Sequence, residues 1–157
     1  LGVKVELVNA VRAPLPATFV KQVISRAADE PRLTERLGPD PEREVTVRVT
    51  GDNELRRLNA TFLGVDEVTD VLSFPSGDSS GYLGDLALSW PAVVRQAEAF
   101  GHSADVEAGL LMIHGLLHLL GWDHGSTSDA AEMEALTQAC LARAGLPAIL
   151  GRVTGSQ

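Results

Sequence analysis

Leu110–His124 reads LLMIHGLLHLLGWDH and holds three of the chain's four histidines, at 114, 118 and 124. His114 and His118 are four residues apart, so a helix projects both from one face, one turn above the other. Leu110, Leu111, Met112, Ile113, Leu116, Leu117, Leu119 and Leu120 surround them on every side, which marks a buried helix rather than a surface one. Gly121 is placed to end that helix in a left-handed turn, and His124 follows three residues on. A buried imidazole without a partner costs on the order of 1–3 kcal/mol. One divalent metal would satisfy all three rings at once.

His-x3-His, a helix-ending glycine and a third histidine resemble the spacing of the metzincin zinc proteases. Those enzymes carry Glu directly after the first histidine as general base, and here that position is Gly115. The spacing therefore speaks for metal binding and against peptide hydrolysis by the usual route. Three neutral nitrogen ligands leave a fourth tetrahedral position open, the pattern of catalytic zinc. Zinc suits imidazole ligands, and nickel or copper would also fit. Glycine within a helix costs about 1 kcal/mol relative to alanine. Gly115 therefore implies a need for space, for a packed neighbour or for a substrate approaching the metal.

Around that helix, 157 residues with 45% hydrophobic and 22% charged side chains suit one domain with a real core, over 1–150, and a frayed tail over 151–157. No apolar run reaches membrane-spanning length and Leu1 opens no signal-peptide pattern. Cys140 stands alone, which excludes an internal disulfide framework and fits a reducing cytosol, so a cytoplasmic protein is expected. The net charge of −8 argues against a broad phosphate-binding surface but leaves room for a local basic groove.

Val3, Val5 and Leu7 alternate with polar neighbours, as do Val45, Val47 and Val49, which predicts two strands. Phe19, Val20, Val23, Ile24 and Ala27 recur at helical spacing and predict a helix over 17–29, with a short turn at Leu33–Gly38 after it. Asp52 is expected to cap a helix whose Leu55, Leu58 and Phe62 face inward, with Arg56 and Arg57 on its solvated side. Residues 69–75 and 83–90 read as two further strands. Asp85 interrupts the second of them, either as an exposed residue or as a carboxylate placed beside the metal. Ser89 with Pro91 starts the next helix, Ser103 caps the histidine helix, and Asp129 with Glu132 predicts a capping box for the last. The sum is an α+β domain of about four strands in a mixed sheet and about five helices, with the histidine helix buried at its centre in a zincin-like arrangement.

The histidine run, together with Leu58-Asn59, Thr69-Asp70-Val71-Leu72-Ser73-Phe74-Pro75 and Gly84-Asp85, resembles the YbeY family of endoribonucleases over roughly residues 44 to 124. The resemblance implies one zinc ion held by His114, His118 and His124, and a cytoplasmic role in maturation and quality control of small-subunit ribosomal RNA. Single-stranded ribosomal RNA, a small-subunit ribosomal protein and the GTPase Era are the partners it implies. Zinc would polarise a phosphate oxygen or activate water, and Asp85 is the candidate for orienting that water, with Asp123 as the other acidic possibility. The RNA 2′-hydroxyl is the alternative nucleophile. One position departs from the family pattern: an arginine usual after the aromatic is Leu63 here, following Phe62. Arg56 or Arg57 could supply the missing charge. The rival readings are a zinc hydrolase of peptides or small molecules, and a noncatalytic ribosome-assembly factor with structural zinc.

Overall fold

The structure is a computed structural model that describes residues 3–40, 42–77 and 81–153. Two strands with alternating valines, β1 (Val3–Asn9) and β2 (Arg43–Thr50), pair in parallel. Their connection carries the helices α1 (Ala17–Ala27) and α2 (Pro31–Leu37). After α3 (Asp52–Leu63), the strands β3 (Val71–Pro75) and β4 (Tyr82–Ser89) form an antiparallel pair, and β4 inserts parallel to β2. The sheet order is β1-β2-β4-β3, mixed as expected, with β3 on an edge. Three helices follow among the described residues: α4 (Trp90–Phe100), α5 (Ala104–Leu119) and α6 (Thr127–Arg143).

Period-two alternation sorts the sheet into two unlike faces. Val45, Val47, Val49, Leu86 and Leu88 point to one side, are fully buried, and meet α1, α5 and α6 in the main core. Leu72 and Ala87 point to the other side and meet Leu55, Leu58 and Phe74 beneath α3. The histidine helix α5 packs against β3, β4, α1, α4 and α6, and ten of its residues are buried. This central burial follows from a sequence that is apolar all round. Each such buried aliphatic side chain contributes about 1.5–3 kcal/mol.

Several local expectations are corrected. The described residues hold six helices, because the short turn at Leu33–Gly38 is a true helix capped by the Glu30 side chain accepting from the Arg32 N–H at 3.2 Å. Gly51 rather than Asp52 caps α3, and the Asp52 carboxylate instead accepts from Ser89 Oγ at 2.6 Å and from Arg95 at 2.9 Å. Phe62 is 63% exposed, although its ring meets that of Phe74 on the sheet edge to face, centroids 5.3 Å apart. Ser126 caps α6 by accepting from the Asp129 N–H, and Glu132 instead takes the Trp122 indole N–H at 3.3 Å. Of the tail expected to fray, residues 151–153 are docked: the Gly151 N–H donates to Glu134 and Arg152 reaches Glu107. Residues 154–157 lie outside those described, as do Pro41 and part of the loop after Pro75.

Buried and paired carboxylates set the acid limit of this fold. Burial pushes the Glu107 carboxyl up, but hydrogen bonds from Arg152 and His102 outweigh it and hold the group below its ordinary 4.5. Arg95 lowers Asp52 and Arg48 lowers Glu54 in the same way. A depressed carboxylate contributes stability that is complete above its unfolded value and is lost as pH falls through its folded one. Urea unfolding is expected to lose stability as pH falls below about 6.5, where His114 and His118 protonate in the unfolded chain before they do in the folded one, and to lose more below about 4.5, where these carboxylates begin to protonate. Stability that still rises as pH drops below 4 would contradict this.

Candidate metal centre

His114 and His118 project from α5 one turn apart, and the chain then reverses. Gly121 adopts φ +96°, its N–H donates to the His118 carbonyl at 3.0 Å, and the Trp122 N–H donates to the Leu117 carbonyl at 3.0 Å. That paired closure is the left-handed helix ending glycine permits. Trp122 then anchors the reversal. It is buried, the Arg36 guanidinium lies 3.6 Å over its ring, and Arg36 Nη1 donates to the Leu120 carbonyl at 2.9 Å. Asp123 is exposed, and its Oδ1 accepts from the Gly125 N–H at 3.1 Å, so it shapes the turn. The outcome is that the His124 ring meets the His118 ring edge to face, centroids 5.1 Å apart.

Burial lowers the His114 ring to about 4, with the charge of Arg152 acting in the same direction. Burial also lowers His118, helped by His124 and opposed by a hydrogen bond to the Trp122 backbone. Both rings are therefore neutral near pH 7, the state in which imidazole binds metal. His114 Nε2 and His124 Nδ1 are buried and have no hydrogen-bond partner among the described residues. Such atoms are rare in folded proteins and call for an explanation. As placed, no three His, Cys, Asp or Glu side chains among the described residues close into a metal-holding group. The donor chemistry and the orphaned nitrogens fit a dication, while the rings do not stand in a closed coordination shell.

Gly115 makes room for packed neighbours. A Cβ there would stand 2.8 Å from Leu86 Cδ2 and 3.3 Å from Ser73 Oγ, and Ser73 Oγ donates to the Gly115 carbonyl at 3.0 Å. Helix, central strand and edge strand are thereby pinned together beside His114. The serine sits in an otherwise apolar strand, and that polarity is the signal that could have marked it in the sequence. Trp122 and Arg36 were also missed. Nothing in the letters joins residues so far apart.

Asp85 is not brought to the histidines. Its neighbour Leu86 points at Gly115, so strand alternation sends Asp85 to the opposite face of the sheet. There it is exposed, sits opposite Thr46 and Phe74, and accepts from the Tyr82 hydroxyl at 2.5 Å. The arginines of α3 are committed elsewhere: Arg56 to Asp66 at 2.7 Å and Arg57 to Glu54 at 3.0 Å. Leu63 is 58% exposed at the end of the same helix. Arg57→Ala is therefore expected to leave RNA cleavage within about twofold of the parent, because an exposed pair is worth only about 0–1 kcal/mol. A tenfold loss in a cleavage time course would return Arg57 to the catalytic set. Cys140 is buried on α6, and burial pushes its thiol up to about 12, which makes it inert.

A four-stranded mixed sheet with an antiparallel edge strand, and a buried helix bearing two histidines beneath it, define a single-domain α+β protein. The model of the family described as Endoribonuclease YbeY matches residues 9–145. The chain belongs to the YbeY endoribonuclease family. An Endoribonuclease YbeY from Roseiflexus castenholzii is 39% identical over 92% of this chain and 93% of its own length. One from Roseiflexus sp. is 45% identical over the same shares, 92% and 93%. One from Gloeobacter violaceus is 53% identical over 52% of this chain and 46% of its own length. The solution structure of TM1509 from Thermotoga maritima superposes with a TM-score of 0.56 at 20% identity, over 94% of this chain and 99% of that one, and shows a shared fold.

Proposed function

We propose that this chain is a zinc-dependent, single-strand-specific endoribonuclease acting in ribosomal RNA maturation and ribosome quality control, at the 3′ end of small-subunit RNA. Membership of the endoribonuclease family supports RNA phosphodiester cleavage and a place in ribosomal RNA processing. The observation that carries the metal is the pair of orphaned, buried ring nitrogens on His114 and His124. With His118 between them, these side chains would hold one zinc ion. When bound, zinc supplies a Lewis acid for a phosphate oxygen and a means of lowering the pKa of water.

The chain's own residues do the positioning. The His118 ring is oriented by its hydrogen bond to the Trp122 backbone, and His124 by the Asp123 turn and the Trp122 anchor. Such outer contacts fix a ligand's ring before anything binds. Ser73 and Gly115 keep the edge strand β3 against α5, so single-stranded RNA would lie along that rim. Ribosomal RNA, a small-subunit ribosomal protein and the GTPase Era are the partners of this reading, in the cytoplasm. Among the described residues no helix is long and apolar enough to cross a membrane.

A second reading, a noncatalytic assembly factor with structural metal, is favoured by Leu63 and by the committed arginines of α3. Cleavage of single-stranded RNA by purified protein, with and without chelator and with zinc restored, decides between them. The enzyme reading expects cleavage that chelator abolishes and zinc restores. Ribosomal-subunit binding with no metal-dependent cleavage would leave only the second. The end groups of the products separate attack by water from attack by the 2′-hydroxyl, which leaves a cyclic phosphate.

A further inference from the structure

Residues 145–153 leave α6 and run back over the histidine helix as a fastened strap. Leu146 seats on α5 at Gly109, where a Cβ would stand 2.6 Å from Leu146 Cδ1. The Gln138 amide donates to the Ile149 carbonyl at 2.5 Å and accepts from the Ile149 N–H at 3.1 Å. The Gly151 N–H donates to Glu134 at 2.9 Å. The strap then delivers Arg152 into the seam between α4 and α5. Its guanidinium forks onto both Glu107 oxygens at 2.8 and 2.5 Å and donates to Gln96 at 3.1 Å. Its flat face lies 4.0 Å from the Phe100 ring, and His102 Nε2 stands 2.7 Å from Glu107 Oε1.

Glu107 is entirely buried. A carboxylate meant only for the helix dipole would serve that end exposed, in the first turn. A buried ion pair is moreover weak evidence for stability, because apolar side chains of similar volume often do as well. Its geometric consequence is specific. Glu107 lies seven residues before His114, two turns along one face of α5. The charges of Arg152 and Glu107 both reach the His114 ring.

We propose that the strap is a latch on the histidine helix, in which Arg152 and Glu107 are positioning residues that set where His114 stands for the metal. This rests on the metal reading above and goes beyond it, because it makes a segment outside the histidine motif part of the site's support. Arg152→Gln unfastens the latch. Zinc affinity is read by competition with a chromophoric chelator, at a temperature where circular dichroism shows parent and variant fully folded. Affinity read on folded protein does not move with global stability alone. The expected result is a loss of about 10-fold, the lower end of what removing a direct partner of a metal ligand costs, because both groups act on the ring through α5, with faster amide exchange confined to α5. Unchanged zinc affinity in Arg152→Gln overturns the proposal. Should that variant not fold, Glu107→Gln/Arg152→Gln carries the same readouts without stranding a buried charge. A parent protein that takes up no zinc sinks the metal reading instead. The latch is then judged by exchange: acceleration confined to α5 supports it, and unchanged or uniformly faster exchange overturns it.

Discussion

His114→Ala is expected to abolish zinc uptake and to lower RNA cleavage by more than the about 10–100-fold that loss of a ligand's outer support costs. The ring is half-buried and neutral near pH 7, and offers an Nε2 atom with no hydrogen-bond partner among the described residues. Its removal takes away a donor outright. A thermal readout makes the test independent of activity. A ligand held at a hundred times its dissociation constant stabilises the folded state by about 2.7 kcal/mol. For a chain of this size that corresponds to roughly 5–10 °C in Tm. Zinc should raise the parent's Tm by that amount and leave the variant's unchanged. Equal shifts in both would remove His114 from the ligand set.

Gly84→Ala carries the second large effect, about 2–5 kcal/mol of lost stability, the sum of backbone strain and overpacking. Gly84 adopts φ +139°, and a Cβ there would stand 2.2 Å from the Phe74 carbonyl oxygen and 3.0 Å from Leu119 Cδ2. The carbonyl belongs to the edge strand, where Pro75 lies opposite Gly84, so it cannot withdraw without breaking the β3–β4 register. Leu119 is the last residue of the histidine helix, so the clash reaches the site as well. The expected fall in Tm is about 5–15 °C. A variant melting with the parent would show that this backbone is not held as described.

The histidine helix was legible because its pattern is local: apolar residues on every side, a capping serine, a glycine at the exit. The mixed sheet was legible for a similar reason, since helices separate the first strands and a short loop joins the last pair. Asp85 was not legible. Which face a strand residue takes depends on register, and the pairing of β2 with β4 shifts between Glu44 and Val45. Phe62 follows the helical spacing of its inward neighbours and meets Phe74 edge to face, yet near the end of α3 most of its surface stays in solvent. Ser126 and Asp129 are both good caps three residues apart, so the start of α6 could be read either way. Arg152 meets Glu107 across 45 residues, and a fastened tail has no signature in composition. The rings of the candidate site fall between these cases: spacing singled out the three histidines, while side-chain rotations, which spacing cannot reveal, would decide how they close on an ion.

X-ray absorption at the zinc edge, on protein loaded with one equivalent of zinc, measures that closure most directly. Three imidazole nitrogens at about 2.0–2.1 Å with one further light atom, lost from the spectrum of His118→Ala, is the expected result. No uptake of zinc, or a shell with fewer than three imidazoles, would contradict the metal centre at His114, His118 and His124.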